Sequence, residues 1–108
     1  MKKLGQGAIT TGSGTLVYTV PTGMRTEVLD ICLANTTGTP LTAGIYLVPT
    51  GATAGTTNAL FPTVTIQPYS LVQWTGKQIL NAGDFIQGIG SGSGITVNVT
   101  GDEYRASV

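Results

Sequence analysis

Short runs rich in Val, Ile, Leu, Thr and Tyr, each closed by Pro, Gly, Asn or Asp, recur along the whole chain. That punctuation leaves no window in which a helix would be favoured, because β-branched residues and Gly are poor in helix interiors. Runs of this kind between turn signals read instead as the strands of a sandwich or barrel. The reading places strands at 15–20, 25–34, 42–48, 60–66, 69–75, 85–89 and 95–99, with 4–9 as either a first strand or an extended N-terminal arm (1–9 at its widest). Residues 77–80 lead into the turn Asn81-Ala82-Gly83-Asp84. The expected fold is therefore all-β: a single-domain antiparallel β-sandwich over residues 1–108, jelly-roll-like, with about eight strands.

Local chemistry sharpens parts of this map. Tyr18-Thr19-Val20-Pro21-Thr22-Gly23 and Tyr46-Leu47-Val48-Pro49-Thr50-Gly51 are near copies, one strand-to-turn solution used twice. In each, Pro presets φ for the turn and Gly takes the positive-φ position. Pro62 marks 60–66 as an edge or irregular strand, and 60–66 and 69–75 read as a pair around Gln67-Pro68. A period of two in 25–34 puts Leu29, Ile31 and Leu33 on one face and Val28, Asp30 and Cys32 on the other. Residues 51–58 lack apolar periodicity and read as a compact surface loop, and 90–94 as a Gly-Ser tip.

Composition bears on what the surface does. Apolar residues make up 41% of the 108 residues, enough for one modest core. Charged residues make up only 9%, against about 25% in typical soluble domains. The surface must then be built of Thr, Ser, Asn, Gln and Gly, and charge depletion is a property of interface cores. A net charge of zero also removes the self-repulsion that keeps copies apart. Nucleic acid is not an expected partner, since the five basic residues Lys2, Lys3, Arg25, Lys77 and Arg105 are scattered apart from the first two. A membrane surface is not expected for the same reason. Lys2-Lys3 is followed by Leu4-Gly5-Gln6-Gly7-Ala8, which is no signal-peptide apolar region, so synthesis in a cytoplasm is expected. A lone Cys32 fits a reducing compartment.

Catalytic inventory is sparse. The chain has no His, the commonest general acid–base and metal ligand. Cys32, between Ile31 and Leu33, reads as a small core residue with nothing beside it to activate a thiol. Glu27 and Asp30 point to opposite faces, Asp102-Glu103 reads as a solvated pair, and Asp84 reads as a side chain that ties its own turn. Gly88-Ile89-Gly90-Ser91-Gly92 lies between two strands, with no helix to bind phosphate. No enzyme activity, metal or cofactor is expected. The aromatics Trp74, Tyr69, Tyr18, Tyr46 and Tyr104 read first as packing, with Trp74 the best candidate for an exposed anchor. Asp30 would need a partner if covered, and Arg25 or Arg105 are the candidates.

Three motifs together carry a resemblance. They are Tyr18-Thr19-Val20-Pro21-Thr22-Gly23-Met24-Arg25, Ala34-Asn35-Thr36-Thr37, and Leu80-Asn81-Ala82-Gly83-Asp84-Phe85-Ile86. From about Leu16 to Val99 the chain resembles small structural proteins of tailed-bacteriophage virions. The resemblance implies a non-enzymatic virion component. The main expectation is a capsid decoration or cement protein that stabilises the shell by associating with itself, as a homotrimer by analogy, and with the major capsid protein. A tail, baseplate or fibre module bound to tail proteins is a second expectation, and a carbohydrate- or receptor-binding module using Trp74 and the tyrosines a third. Expected intersubunit contacts are the segments 1–6 and 104–108, and the residues Lys2, Lys3, Leu4, Asp30, Trp74, Tyr104 and Arg105.

Overall fold

The computed structural model describes residues 2–9 and 14–105. Among them are eight strands: β1 Lys2–Ile9, β2 Thr15–Thr19, β3 Met24–Asn35, β4 Leu41–Val48, β5 Ala59–Ile66, β6 Leu71–Leu80, β7 Phe85–Gly90 and β8 Ile95–Arg105. They form two antiparallel four-stranded sheets, sheet A in the order β1-β8-β3-β6 and sheet B in the order β2-β7-β4-β5. The first strand pairs with the last, the second with the seventh, the third with the sixth and the fourth with the fifth. The chain is thus one long hairpin, folded at the β4–β5 connection and rolled so that successive pairs fall in alternate sheets. Two further pairings, β3 with β8 and β4 with β7, close the roll into a jelly-roll sandwich.

Alternation along each strand builds the core. Ile9, Ile31, Leu33, Ile45, Ile66, Ile86, Ile95 and Val99 are fully buried between the sheets. At roughly 1.5–3 kcal/mol for each fully buried aliphatic side chain, this layer is the main favourable term in folding. Three glycines carry the turns that the sequence marked, with φ of +79° at Gly23, +81° at Gly51 and +86° at Gly83. The 51–58 loop is compact, with Asn58 donating to the Thr53 carbonyl at 2.9 Å and accepting from the Gly55 N–H at 3.0 Å.

Several expectations need correction. Residues 4–9 are a paired strand and not a free arm, since β1 lies along β8 from Lys2 to Ile9. Strands 60–66 and 69–75 are not partners, because the chain crosses between the sheets at the turn that separates them. Tyr69 is in that turn with φ of 53°, so β6 starts at Leu71 and runs on through residues 77–80. The strict alternation in β3 fails at Leu29, where the register with β8 and β6 shifts. This bulge lets Val28 and Ile31 both face the core although they differ in parity. It also turns Cys32 outward, partly exposed and free, where the sequence suggested a core position. β8 continues past Val99 because Gly101 fits inside the ladder, where a Cβ would land on the Glu27 carbonyl oxygen.

Candidate assembly surfaces

One end of the sandwich is closed by a chain of polar contacts. Tyr18 of β2 donates its hydroxyl to Glu103 of β8, and the buried Thr26 hydroxyl of β3 lies 2.8 Å from the Tyr18 oxygen. Lys2 of β1 pairs with the other Glu103 oxygen at 2.7 Å. Four strands from both sheets meet there. Burial and the Glu103 contact push the Tyr18 phenol up to about 12, so it stays a donor. The Lys2 ammonium and the Tyr18 hydroxyl hold the Glu103 carboxyl below its usual range. Glu103 is therefore no solvated tail residue. Nothing local in the sequence marks its role, because its partners lie 85 and 101 positions away.

The motifs behind the resemblance are structural ties. Asn35 is buried, donates to the carbonyls of Thr39 at 2.8 Å and Ile66 at 3.0 Å, and accepts from the Thr37 N–H and hydroxyl. It closes its own turn and fastens β3 to the end of β5 in the other sheet. Asp84 accepts from the Asn81 N–H at 2.9 Å and from the Thr50 N–H at 3.0 Å. Val20 exchanges backbone hydrogen bonds with Asp84 and Gly83. The two Val-Pro-Thr-Gly turns therefore flank the Asn81–Asp84 turn on either side. The turn-tying role expected of Asp84 is present and reaches further than its own turn.

The outer face of sheet A is open and nearly uncharged over half its length. Strand register lines up Ala8, Thr96, Ala34 and Leu71 in one row, and Gln6, Asn98, Cys32 and Gln73 in the next. Neither row contains a charge. The third row, Lys3, Thr100, Asp30 and Thr75, brings the first two charges, far apart on β1 and β3. No family model, curated protein or solved structure matches this chain.

The residues expected to make contacts separate into three places. Lys2, Lys3, Leu4, Tyr104 and Arg105 gather at the Glu103 end, with Tyr104 opposite Arg25 and Arg105 opposite Met24. Lys2 is committed to Glu103, Lys3 to Gln6 at 2.7 Å, and Leu4 packs on the core. Met1 and residues 106–108 of the two expected contact segments lie outside the described residues. Asp30 is partnered by Gln73, whose amide donates to it at 2.6 Å, and not by Arg25 or Arg105. Trp74 sits opposite Ile31 and packs against the core, so it is not an exposed anchor. The tyrosines form no shared platform: Tyr18 is in the polar chain, Tyr69 lies beside Gly38 at one end, and Tyr104 lies at the other. An open groove of about 480 Å³ is lined by Leu47, Pro49, Asn58, Ala59, Leu60 and Gln78, with Thr57 at its side. It has no charged wall.

Proposed function

We propose that the chain is a structural protein of a tailed-phage virion, a capsid decoration or cement protein that docks on the shell and associates with its own copies. The observation that carries this reading is the pair of uncharged rows across all four strands of the open face of sheet A. Eight uncharged side chains cost far less to desolvate than charged ones would, and charge depletion is what distinguishes the centre of an interface. The motif resemblance between Leu16 and Val99 supports the virion setting. The jelly-roll order adds nothing to it, since unrelated functions share that fold. Repeated over a shell, modest contacts of this kind add cohesion through multivalency.

The test is immunogold electron microscopy of the parent particle with an antibody to this chain, followed by binding of an Asn98→Arg variant to particles stripped of the protein. Label over the head, and binding lost in the variant with its fold intact, are expected. Label restricted to the tail would replace the decoration reading with a tail module, and no label would end the virion reading.

A further inference from the structure

A β-sandwich must protect its edge strands, or they pair with other chains. Three of the four edges here are protected. β1 carries Lys2 and Lys3 and a register shift at Leu4. β2 is five residues long with a shift at Val17. β5 contains Pro62 and faces two shifts in its pairing with β4. β6 is the least protected. It is ten residues long, seven of them exposed, and contains no Pro and one charge, Lys77; its single register shift against β3 falls at Gly76–Lys77, and residues 71–75 pair without a break.

Its outward side chains have a symmetry of their own. Alternation places Leu71, Gln73, Thr75, Lys77 and Ile79 on the outer face of sheet A, the order being apolar, polar, Thr, polar, apolar. Leu71 and Ile79 are 58% and 48% exposed, large apolar side chains left open at both ends of the strand. Asn35 N–H donates to the Ser70 carbonyl, so even-numbered residues here turn their backbone groups to β3. Leu71, Gln73 and Thr75 turn theirs to the open edge.

We infer that β6 pairs antiparallel with β6 of a second copy about a two-fold axis through Thr75. In that register Leu71 meets Ile79 of the other copy at both ends. Lys77 meets Gln73 of the other copy, whose amide already holds Asp30 at 2.6 Å, which brings an unpaired ammonium to a carboxylate. Among the described residues Lys77 has no partner in its own chain. The two Lys77 side chains stand four residues apart along the joined edge, about 14 Å at 3.4 Å per residue. On the inner face the Trp74 ring of each copy lies over its own Gly76, where a Cβ would come within 2.9 Å of it, so the ring stays within its own sandwich and the outer face carries the cross-copy contacts. The product is a continuous eight-stranded sheet with an isologous interface. It stands on the strand alone and holds whether or not the chain decorates a phage head.

The test uses the full chain at tens of micromolar in light scattering coupled to size exclusion. A dimer is expected. Lys77→Glu should weaken it at least tenfold, and Asp30→Lys combined with Lys77→Glu should restore it. In a Cys32→Ser background, Thr75→Cys should oxidise to a covalent dimer, since directly opposed residues in a hydrogen-bonded pair are spaced for a disulfide. Lys77→Cys alone should not cross-link, whereas a mixture of Lys77→Cys and Gln73→Cys chains should. A wild-type monomer or trimer, or a dimer indifferent to Lys77→Glu, would overturn the inference. A trimer would do so while leaving the virion reading intact.

Discussion

Sheet A ends in two strands that were built for different purposes. At β1 every second feature fastens the strand inward: Ile9 is fully buried, a Cβ on Gly5 would strike the Val17 backbone of the neighbouring sheet, and Lys2 is held by Glu103. At β6 the inner side chains Val72, Trp74 and Leu80 pack on the core and Gln73 holds Asp30 of β3, while the other rim of the strand meets solvent. The same sheet, with the same backbone needs, leaves one edge locked and one edge ready. A sheet edge is thus a choice made by side chains and bulges and not a consequence of topology, and the variants below test whether the choice is placed as described.

The largest effect is expected where β1, β8 and β3 cross. Gly101 lies between Lys2 and Val28, and a Cβ there collides with the Glu27 carbonyl oxygen. Gly101→Ala should cost at least about 4 kcal/mol or prevent folding, since backbone and not a flexible side chain must move. Thermal or denaturant unfolding checks this. A loss below about 1 kcal/mol would mean that the β1 side is no more tightly built than the β6 side.

Next comes a matched pair of isoleucines. Ile9→Ala at the end of β1 should cost about 2–5 kcal/mol, the range for deleting a fully buried aliphatic side chain. Ile79→Ala on β6 should cost under about 1 kcal/mol at high dilution, because that side chain is already half in water. If β6 pairs with a second copy, the Ile79→Ala loss should grow with protein concentration, whereas the Ile9→Ala loss should not. Equal losses at all concentrations would erase the contrast.

Much of this architecture was legible in the sequence, and the exceptions have physical reasons. Turn chemistry located the strands, because Gly23, Gly51 and Gly83 take the positive φ that their turns need, although Pro21 and Pro49 stand first in their turns, one place ahead of the position whose φ a proline presets. The bulge at Leu29 was not legible, since no residue type there announces a register shift, and with it went the facing of Val28 and Cys32. The extension of β8 was hidden because Thr100-Gly101-Asp102 has the composition of a turn, while a glycine also serves where two backbones come close. The polar chain joining Lys2, Tyr18, Thr26 and Glu103 depends on pairing of the first strand with the last, which only the closed roll provides. The self-matching order of side chains on β6 is written in the sequence, but it acquires meaning only once that strand is seen to be an open edge.

Tyr18→Phe should cost about 1.5–3 kcal/mol at neutral pH, the range for a hydrogen bond to a charged group, and toward its lower end because Glu103 keeps its Lys2 partner. Its clearer signature is in alkali. The folded phenol titrates near 12 against 10.0 when free, so the unfolded chain loses the proton first. The stability held by this group is complete below pH 10 and is lost as pH rises from 10 toward 12. Phe in its place should flatten that limb, as seen in denaturant midpoints across the pH range. An unchanged alkaline limb would mean that the phenol is not held as a donor.

The smallest effect is expected from Lys2→Met. The Lys2 side chain is 59% exposed against 14% for Glu103, so solvent screens the pair from one side and the loss should stay under about 1 kcal/mol. Its value lies in the acid limb. Glu103 has its folded value lowered from 4.5, first by Lys2 and then by Tyr18, so the unfolded chain takes up the proton before the folded one does. The stability that Glu103 contributes is present above pH 4.5 and drains away as pH falls through the lower folded value. Lys2→Met should narrow that window and shift the acid transition upward, and 0.5 M salt should do part of the same to the wild-type chain by shortening the screening length to about 4 Å. Lys77→Met on the opposite edge should leave the acid limb of the isolated chain unmoved, because no carboxylate of its own chain holds Lys77 among the described residues. Should Lys77→Met move the acid limb as much as Lys2→Met, both edges would be electrostatically fastened, and the division between a locked and an open rim would fail.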